Sequence, residues 1–342
     1  MDLLPSEEQL ELLGLAREFL TGQHPIPTLR ARVDEPCAVD REQWAAGGEI
    51  GLLTLGLDVD HGGSGRPLED EALLFRELGR QLAPGPYLAA TLGARVAALC
   101  GDADLATRIG SGRTLVGLAE PRGDGEIGPD GIKGTFDLVD AVDCDHLLVV
   151  TAHGAGLYAA PDPGQTEVIE SIDPGTRLAA ATLETTEVSQ WLPAATESVQ
   201  ARAMVLNAAM LAGIAEASCE LATEHAKNRV QFGKPIGINQ AVKHACVDMA
   251  VRSEAAVVQT LFAAVSVGSA RPDARFQLLA AKSVAGRAAI ANGAVCIQLH
   301  GGMGFTDEHD THLYLKRAHV LHHLLAEPTD VLAELLAQGA AQ

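Results

Sequence analysis

A chain of 342 residues, 47% of them hydrophobic and 20% charged, is long enough for two or three packed units and has the make-up of a soluble globular protein. Its 25 Lys and Arg stand against 45 Asp and Glu, and a formal charge of −20 repels phosphate backbones and weighs against nucleic acid as a partner. Aromatic residues make up only 4%, so the core must be built from Ala, Leu and Val, which suits close helix packing.

In chain order, Ser6-Glu7-Glu8-Gln9 forms a capping box, and Leu12, Leu13, Ala16, Phe19 and Leu20 follow at helical spacing. Asp40 is placed to cap a second helix running towards Trp44. The glycine-broken run Asp60-His61-Gly62-Gly63-Ser64-Gly65 reads as a loop. Helices are expected over Glu69–Leu82, ended by Ala83-Pro84-Gly85-Pro86, and over Tyr87–Leu99.

From Thr114 to Leu192 the pattern becomes short and β-rich. Strands are expected at Thr114–Ala119, His146–Thr151 and Gly156–Ala160, with turns at Pro129-Asp130-Gly131 and Pro161-Asp162-Pro163-Gly164. A small barrel or sandwich fits this stretch. Long helices resume near Glu197. Val247, Val251, Val258, Phe262 and Val265 make an apolar stripe on one, Arg271-Pro272-Asp273 interrupts, and a further helix runs from Ala274 to Leu299 before His300-Gly301-Gly302. The fold class read from this order is α+β, mainly α. It comprises an N-terminal helical domain (1–113), a middle β-barrel domain (114–192) and a C-terminal four-helix bundle (193–342).

Cys37, Cys100, Cys144, Cys219, Cys246 and Cys296 are scattered without CxxC spacing, which indicates structural thiols in a reducing compartment. The opening MDLLPSEEQ is acidic and lacks the basic start of a signal peptide, and no apolar run is expected to be long enough to span a membrane. The expected location is the cytoplasm, with no membrane partner.

Two motifs give the block order a meaning. Arg229-Val230-Gln231-Phe232-Gly233-Lys234-Pro235-Ile236, with Gln240 just after, and Gln298-Leu299-His300-Gly301-Gly302-Met303-Gly304-Phe305 resemble the two C-terminal signatures of the acyl-CoA dehydrogenases. Trp44 to Gly65 followed by Glu77-Leu78-Gly79-Arg80 is similar to that family's N-terminal domain, and the resemblance runs from Ser6 to Arg317. It implies FAD as cofactor and an acyl-CoA thioester as substrate. A carboxylate would remove the α-proton while a hydride leaves Cβ for the flavin.

It also implies that both signatures hold the ADP end of an FAD bound mainly by a neighbouring subunit, so that the protein is an oligomer. Arg229 offers a guanidinium fork for phosphate oxygens, Gly301 and Gly302 admit a ligand to the backbone, Phe232 packs on a flat ring and Gln298 meets the adenosine. Gln231, Gln240 and His300 complete the cofactor-binding set that the motifs imply. Electron-transfer flavoprotein is the acceptor implied by the same resemblance.

The departures from that pattern lie on the flavin-ring side. In Ala119-Glu120-Pro121-Arg122-Gly123-Asp124-Gly125-Glu126, Ala119 replaces the family's threonine and Gly125 its serine, and Gly134-Thr135-Phe136-Asp137-Leu138 lacks the tryptophan often found beside the flavin. The two positions that carry the family's carboxylate fall on Ala203, between Arg202 and Met204, and on Leu325. No residue is therefore assigned as the catalytic base.

Three readings remain. The chain is the base-lacking half of a heterotetramer with a longer paralogue, resembling the actinobacterial enzymes that act on steroid side-chain thioesters, to which Gly-Phe-Thr-Asp-Glu-His-Asp-Thr-His-Leu-Tyr-Leu-Lys-Arg is close. Alternatively it is an active homo-oligomer with a displaced base, Glu327 or Glu308. In the third it is a structural subunit without chemistry, a role that gives no reason to keep the phosphate-reading residues. Ala212 and Gly213 hint at a roomy acyl site. His300, His309, His312, His319, His322 and His323 gather near the C-terminus, but without HExxH or a nearby cysteine they read as a polar helix face and no metal is expected.

Overall fold

The Ser6 hydroxyl accepts from the Gln9 amide at 3.2 Å while the Gln9 side chain accepts from the Ser6 amide at 2.8 Å, so α1 (Glu7–Gln23) begins with the expected reciprocal cap. Asp40 likewise accepts from the amides of Glu42 and Gln43 at the start of α3 (Arg41–Glu49), after the short α2 (Pro27–Ala31). These details come from a computed structural model that describes residues 3–35, 37–123, 125–185 and 188–338. The helices α4 (Leu68–Arg80), α5 (Tyr87–Leu99) and α6 (Ala103–Gly110) follow.

Strands then occupy the chain: β1 (Val116–Pro121), β2 (Glu126–Gly128), β3 (Gly131–Val139), β4 (His146–Val150), β5 (Gly154–Ala159), β6 (Glu167–Ile169), β7 (Leu178–Thr185) and β8 (Val188–Pro193). Among the described residues no α-helix lies between Arg122 and Ser189. The C-terminal part comprises α7 (Val199–Asn228), the hairpin strands β9 (Val230–Gln231) and β10 (Lys234–Pro235), α8 (Gln240–Gly268), α9 (Ala274–His300), α10 (Thr311–His323) and α11 (Pro328–Ala337).

The chain forms two compact units, one of residues 1–27, 72–83 and 204–342, the other of 28–71 and 84–203. In the second unit the strands form one sheet in the order β6-β7-β3-β1-β4-β5-β8, with β2 paired to β3. Only β1 and β4 run parallel, and the register sets Ala119 opposite Leu138 on β3 and Val149 on β4. Alternate residues face one core, where Ala119, Phe136, Leu138, Leu147, Val149, Tyr158 and Ala181 are buried together. The small residues keep this core thin, and the Tyr158 hydroxyl satisfies itself on the Gly128 carbonyl at 2.9 Å.

The first unit is helical. Asn292 of α9 joins three helices, donating to the Ala215 and Met249 carbonyls (3.0 Å each) and the Ser253 hydroxyl (2.9 Å) and accepting from Arg252 (2.8 Å). The buried Lys282 donates to Asn207, to the Leu321 carbonyl at 2.8 Å and to the Leu324 carbonyl at 2.9 Å, placing a fully satisfied cation at the C-terminal end of α10. All six cysteines are free.

Two sequence expectations need correction here. Gly213 does not open a pocket: a Cβ there would lie 1.9 Å from the Arg76 carbonyl oxygen, so it marks a close crossing of α7 on α4. The expectation that no apolar run is long enough for a membrane does not hold by length and composition, since α7 and α8 both reach that measure, but α7 is largely buried. On α8 the stripe is instead partly turned outward, with Val247 58%, Val251 63% and Val258 42% exposed.

His322, beside Lys282, gives a test of this packing. Burial first, and then the charge of Lys282, push its imidazole down to about 4. An unfolded histidine titrates near about 6.5, so on acidification the unfolded chain takes up this proton first. The stability contributed by neutral His322 is complete above about pH 6.5 and is lost progressively down to pH 4. In urea unfolding between pH 7 and 4, His322→Gln should flatten the decline; an unchanged slope would assign the acid sensitivity elsewhere.

Candidate functional site

The sharpest local geometry lies where α7 ends. The Arg229 amide donates to the His225 carbonyl at 2.8 Å, and the Ile236 amide returns to the Arg229 carbonyl at 2.8 Å, closing the β9–β10 hairpin. Its two turn residues, Phe232 (φ 51°) and Gly233 (φ 76°), are both left-handed, as a two-residue hairpin of this hand requires. Glycine takes that conformation without cost, whereas a bulky aromatic does not. The strain holds the Phe232 ring wholly in solvent, 103% exposed relative to a free residue. Arg229, Gln231 and Gln240 are exposed as well. Among the described residues the Arg229 guanidinium makes no hydrogen bond or ion pair.

α9 ends on the second segment. Gln298 is exposed, His300 is buried, and Gly301 takes φ 63° and ψ −141°, which only glycine adopts readily. A Cβ on Gly301 or Gly302 would meet nothing within 4 Å, so this backbone faces open space, whereas at Gly304 it would come 2.6 Å from the Ile297 carbonyl oxygen. The two segments are joined by a stack of imidazoles whose successive planes are tilted by 32° and 56°. The His225 and His300 ring centroids lie 4.0 Å apart and those of His300 and His309 4.6 Å apart. His300 Nδ1 lies 2.8 Å from the Cys296 carbonyl oxygen. Burial, and then the neighbouring rings, lower the pKa of both His225 and His300; at His300 the Cys296 carbonyl pulls the other way.

The second unit holds a different kind of cluster. Arg95 donates to both carboxylate oxygens of Glu197 (2.6 and 2.8 Å) and to the Gly56 carbonyl (2.8 Å). Arg202 bridges Glu197 at 3.1 Å and Glu71. The side chains of Arg202 and Glu71 are only 12% and 3% exposed. A Cβ on Gly56 would lie 2.2 Å from the Glu71 carboxyl carbon, so that glycine makes room for the carboxylate. Burial pushes the Glu71 carboxyl up despite Arg202, while at Glu197 burial is outweighed by Arg95 and Arg202, which hold it below the usual carboxylate range.

Models of the acyl-CoA dehydrogenase N-terminal and C-terminal domains match residues 6–109 and 194–338. The acyl-CoA dehydrogenase IpdE2 of Mycobacterium tuberculosis (strain ATCC 25618 / H37Rv) is 33% identical over 337 residues, 97% of this chain and 98% of its own. The chain belongs to the acyl-CoA dehydrogenase family. Its backbone matches the Tcur3481–Tcur3483 steroid acyl-CoA dehydrogenase with a TM-score of 0.83 at 28% identity, over 98% of this chain and 99% of that one. It matches the ChsE4–ChsE5 complex from Mycobacterium tuberculosis with a TM-score of 0.85 at 23% identity over the full length of both chains, a likeness of fold. The α+β, mainly helical class is that of the family, and so are oxidoreductase chemistry and FAD.

An acyl-CoA dehydrogenase needs places for the ADP end, the flavin ring and a base. At the ADP end the residues fit: an unpaired exposed guanidinium and two glycines with open backbone are the donor set that a diphosphate requires. Arg229 and His300 are brought near each other through His225. Gln240 opens α8 and Phe232 caps the hairpin, neither of them in the stack.

At the ring end the Ala119 methyl is buried in the β core, and Phe136, within the stretch where a tryptophan was sought, is buried there too. Asp124 lies outside the described residues. Ala203 is fully buried beside the engaged Arg202, and Leu325 takes a left-handed φ of 71°. Glu327 is exposed with its carboxylate 2.9 Å from His323 Nδ1, and Glu308 is exposed.

Sequence reasoning did not anticipate that His225 and His309 pack against His300. The first is an unremarkable helix residue until α9 is laid against it, and the second was counted only with the metal candidates. Among the described residues no group of three His, Cys, Asp or Glu side chains converges as a metal site: on α10, His312 is buried while His319 and His323 are exposed.

Proposed function

We propose that this chain is the base-lacking subunit of a heteromeric FAD-dependent acyl-CoA dehydrogenase. In this reading it lends Arg229, Gln231, Phe232, Gln240, Gln298, His300, Gly301 and Gly302 to the ADP end of an FAD whose ring and catalytic carboxylate belong to a longer paralogous subunit. When bound, FAD supplies the hydride acceptor for α,β-desaturation of the thioester. This chain's residues orient the cofactor: Arg229 neutralises the diphosphate, the Gly301–Gly302 backbone donates to it, and Phe232 packs on a flat ring.

The observation that carries the proposal is Ala203. A buried methyl stands at the base position, and the adjacent cation is already committed to two carboxylates. A general base is worth roughly 10²–10⁴-fold, too much for a lone active subunit to forgo. An active homo-oligomer using Glu327 or Glu308 is the competing reading; an exposed Glu327 paired to His323 has neither the burial nor the freedom expected of such a base. The exposed valine stripe on α8 supports assembly with another chain.

The match to a steroid acyl-CoA dehydrogenase supports a steroid side-chain thioester as substrate; electron-transfer flavoprotein as acceptor and the cytoplasm as location are part of the proposal. The division into domains 1–113, 114–192 and 193–342 belongs to the same reading. The test compares flavin absorbance and acyl-CoA dehydrogenation for the chain alone and co-expressed with its paralogue. Alone it should bind little FAD and turn over poorly; together they should form a heterotetramer with fewer flavins than chains, and Arg229→Ala should lower that flavin content. A yellow homo-oligomer with one FAD per chain and normal turnover would refute the proposal.

A further inference from the structure

Arg229 and Gly301–Gly302 sit on separate helices, and an ADP cradle requires them to hold one spacing. What stands between them is the column His225–His300–His309, contributed by the end of α7, the end of α9 and the segment leading into α10. His225 is tied to the cradle through its carbonyl, which accepts from the Arg229 amide at 2.8 Å. His300 precedes Gly301 and is held by the Cys296 carbonyl at 2.8 Å. His309 Nδ1 lies 3.2 Å from the Thr311 hydroxyl, which in turn donates to the Gly304 carbonyl at 2.6 Å, fixing the glycine-rich turn from its far side. The rings of His300 and His309 are thus held by hydrogen bonds beside the glycine-rich turn, while His225 meets them through its ring and meets Arg229 through its backbone carbonyl.

We propose that His225 and His309 are positioning residues of the cradle: stacked on His300 they fix Arg229 against the Gly301–Gly302 turn, and the cradle keeps its grip on FAD only while the stack is uncharged. The inference rests on the cradle reading given above. The charged and titratable groups around the stack are Arg229 beyond the end of α7, Cys296 on α9, and Glu308 and Asp310 on either side of His309 in the chain. Burial pushes the Cys296 thiol up to about 12, so it stays neutral. Rings at 4.0 and 4.6 Å cannot all carry protons without repelling one another and Arg229, and the column must then part. The lowered pKa values of His225 and His300 accord with this: burial, and then the neighbouring rings, favour the neutral form of both.

FAD release from the holoprotein, in complex with its paralogue where it assembles with one, is followed by flavin fluorescence between pH 7.5 and 5.5. Native protein should lose affinity by about tenfold per pH unit for each proton taken up. His225→Ala should weaken retention already at pH 7.5, since no ring remains to stack, and His225→Phe should restore it. The paired substitution His225→Phe with His309→Phe should show a much flatter pH profile. If the paired variant does not fold, His225→Phe alone is read over the same range. A profile parallel to native, or a His225→Ala protein that holds FAD as tightly as native at pH 7.5, would overturn the proposal. So would acid-strengthened binding that depends on the histidines, because the stack would then act as a charge for the diphosphate. Arg229→Ala separates the two readings. If it keeps its FAD, the cradle assignment fails; if it loses FAD at every pH while the histidine variants behave as native, only the stack proposal fails.

Discussion

Replacing Arg202 with alanine should cost the fold about 3–5 kcal/mol at neutral pH, the range for stripping one partner from a buried ion pair. The variant would leave Glu71, whose side chain is 3% exposed, without the cation that touches it, and Glu197 with Arg95 alone. The Glu71 carboxyl is already pushed up by burial with Arg202 as the leading opposing influence, so without Arg202 it rises further. A carboxyl whose pKa is raised in the folded state costs stability once pH exceeds its unfolded value, and the cost disappears when it is protonated. The deficit of Arg202→Ala should therefore be largest near pH 7 and shrink as pH falls towards 5, in urea unfolding at each pH. Arg202→Met combined with Glu71→Met should recover much of the loss, because an apolar pair of similar volume can replace a buried ion pair. A loss below about 1 kcal/mol would class these groups with surface pairs.

This cluster also marks the limit of what the sequence makes legible. Ser6, Asp40 and the two motif segments could be read because each acts on backbone within a few positions of itself, and a cap or a glycine-ended helix is a local event. Arg202 meets Glu71 across 131 positions and Arg95 meets Glu197 across 102, so nothing in the local pattern of either announces the other. The residues at 202–204 show no carboxylate in the sequence, but they could not reveal that Arg202 is engaged with Glu71 and Glu197. The α8 stripe shows a second limit. Helical periodicity states which residues share a face, whereas burial depends on what packs there, and among the described residues Val247 and Val251 stay more than half exposed. The residues proposed for the ADP end come from a family pattern, while the imidazole column between them depends on how α7 and α9 lie together, which no motif encodes.

The crossing of α4 and α7 carries the other large effect. At Gly213 an added Cβ would stand 1.9 Å from the Arg76 carbonyl oxygen and 3.0 Å from the Arg80 amide nitrogen; at Gly79 it would stand 2.0 Å from the Met210 carbonyl oxygen. Each helix thus presents a glycine to the other's backbone, and a main-chain atom cannot move aside as a flexible side chain does. The ion pairs Arg76–Glu216 (3.0 Å) and Arg80–Glu220 (2.6 Å) span the same crossing, so separating the helices stretches them too. Helix propensity alone would favour Ala over Gly by up to about 1 kcal/mol. Overpacking costs about 1–3 kcal/mol and occasionally more, and contact with backbone on both sides puts Gly213→Ala and Gly79→Ala at or above the top of that range. The two losses should be less than additive, because helices already forced apart by one methyl have room for the second. Gly14→Ala in α1 is the internal standard, since a Cβ there meets nothing within 4 Å. It should raise stability by about 0.5–1 kcal/mol. Thermal unfolding of the four variants decides the matter: if Gly213→Ala stabilises as Gly14→Ala does, the helices do not cross at backbone contact. If it destabilises while Gly14→Ala stabilises, the glycine is kept for closeness of approach, and flexibility has no part in it.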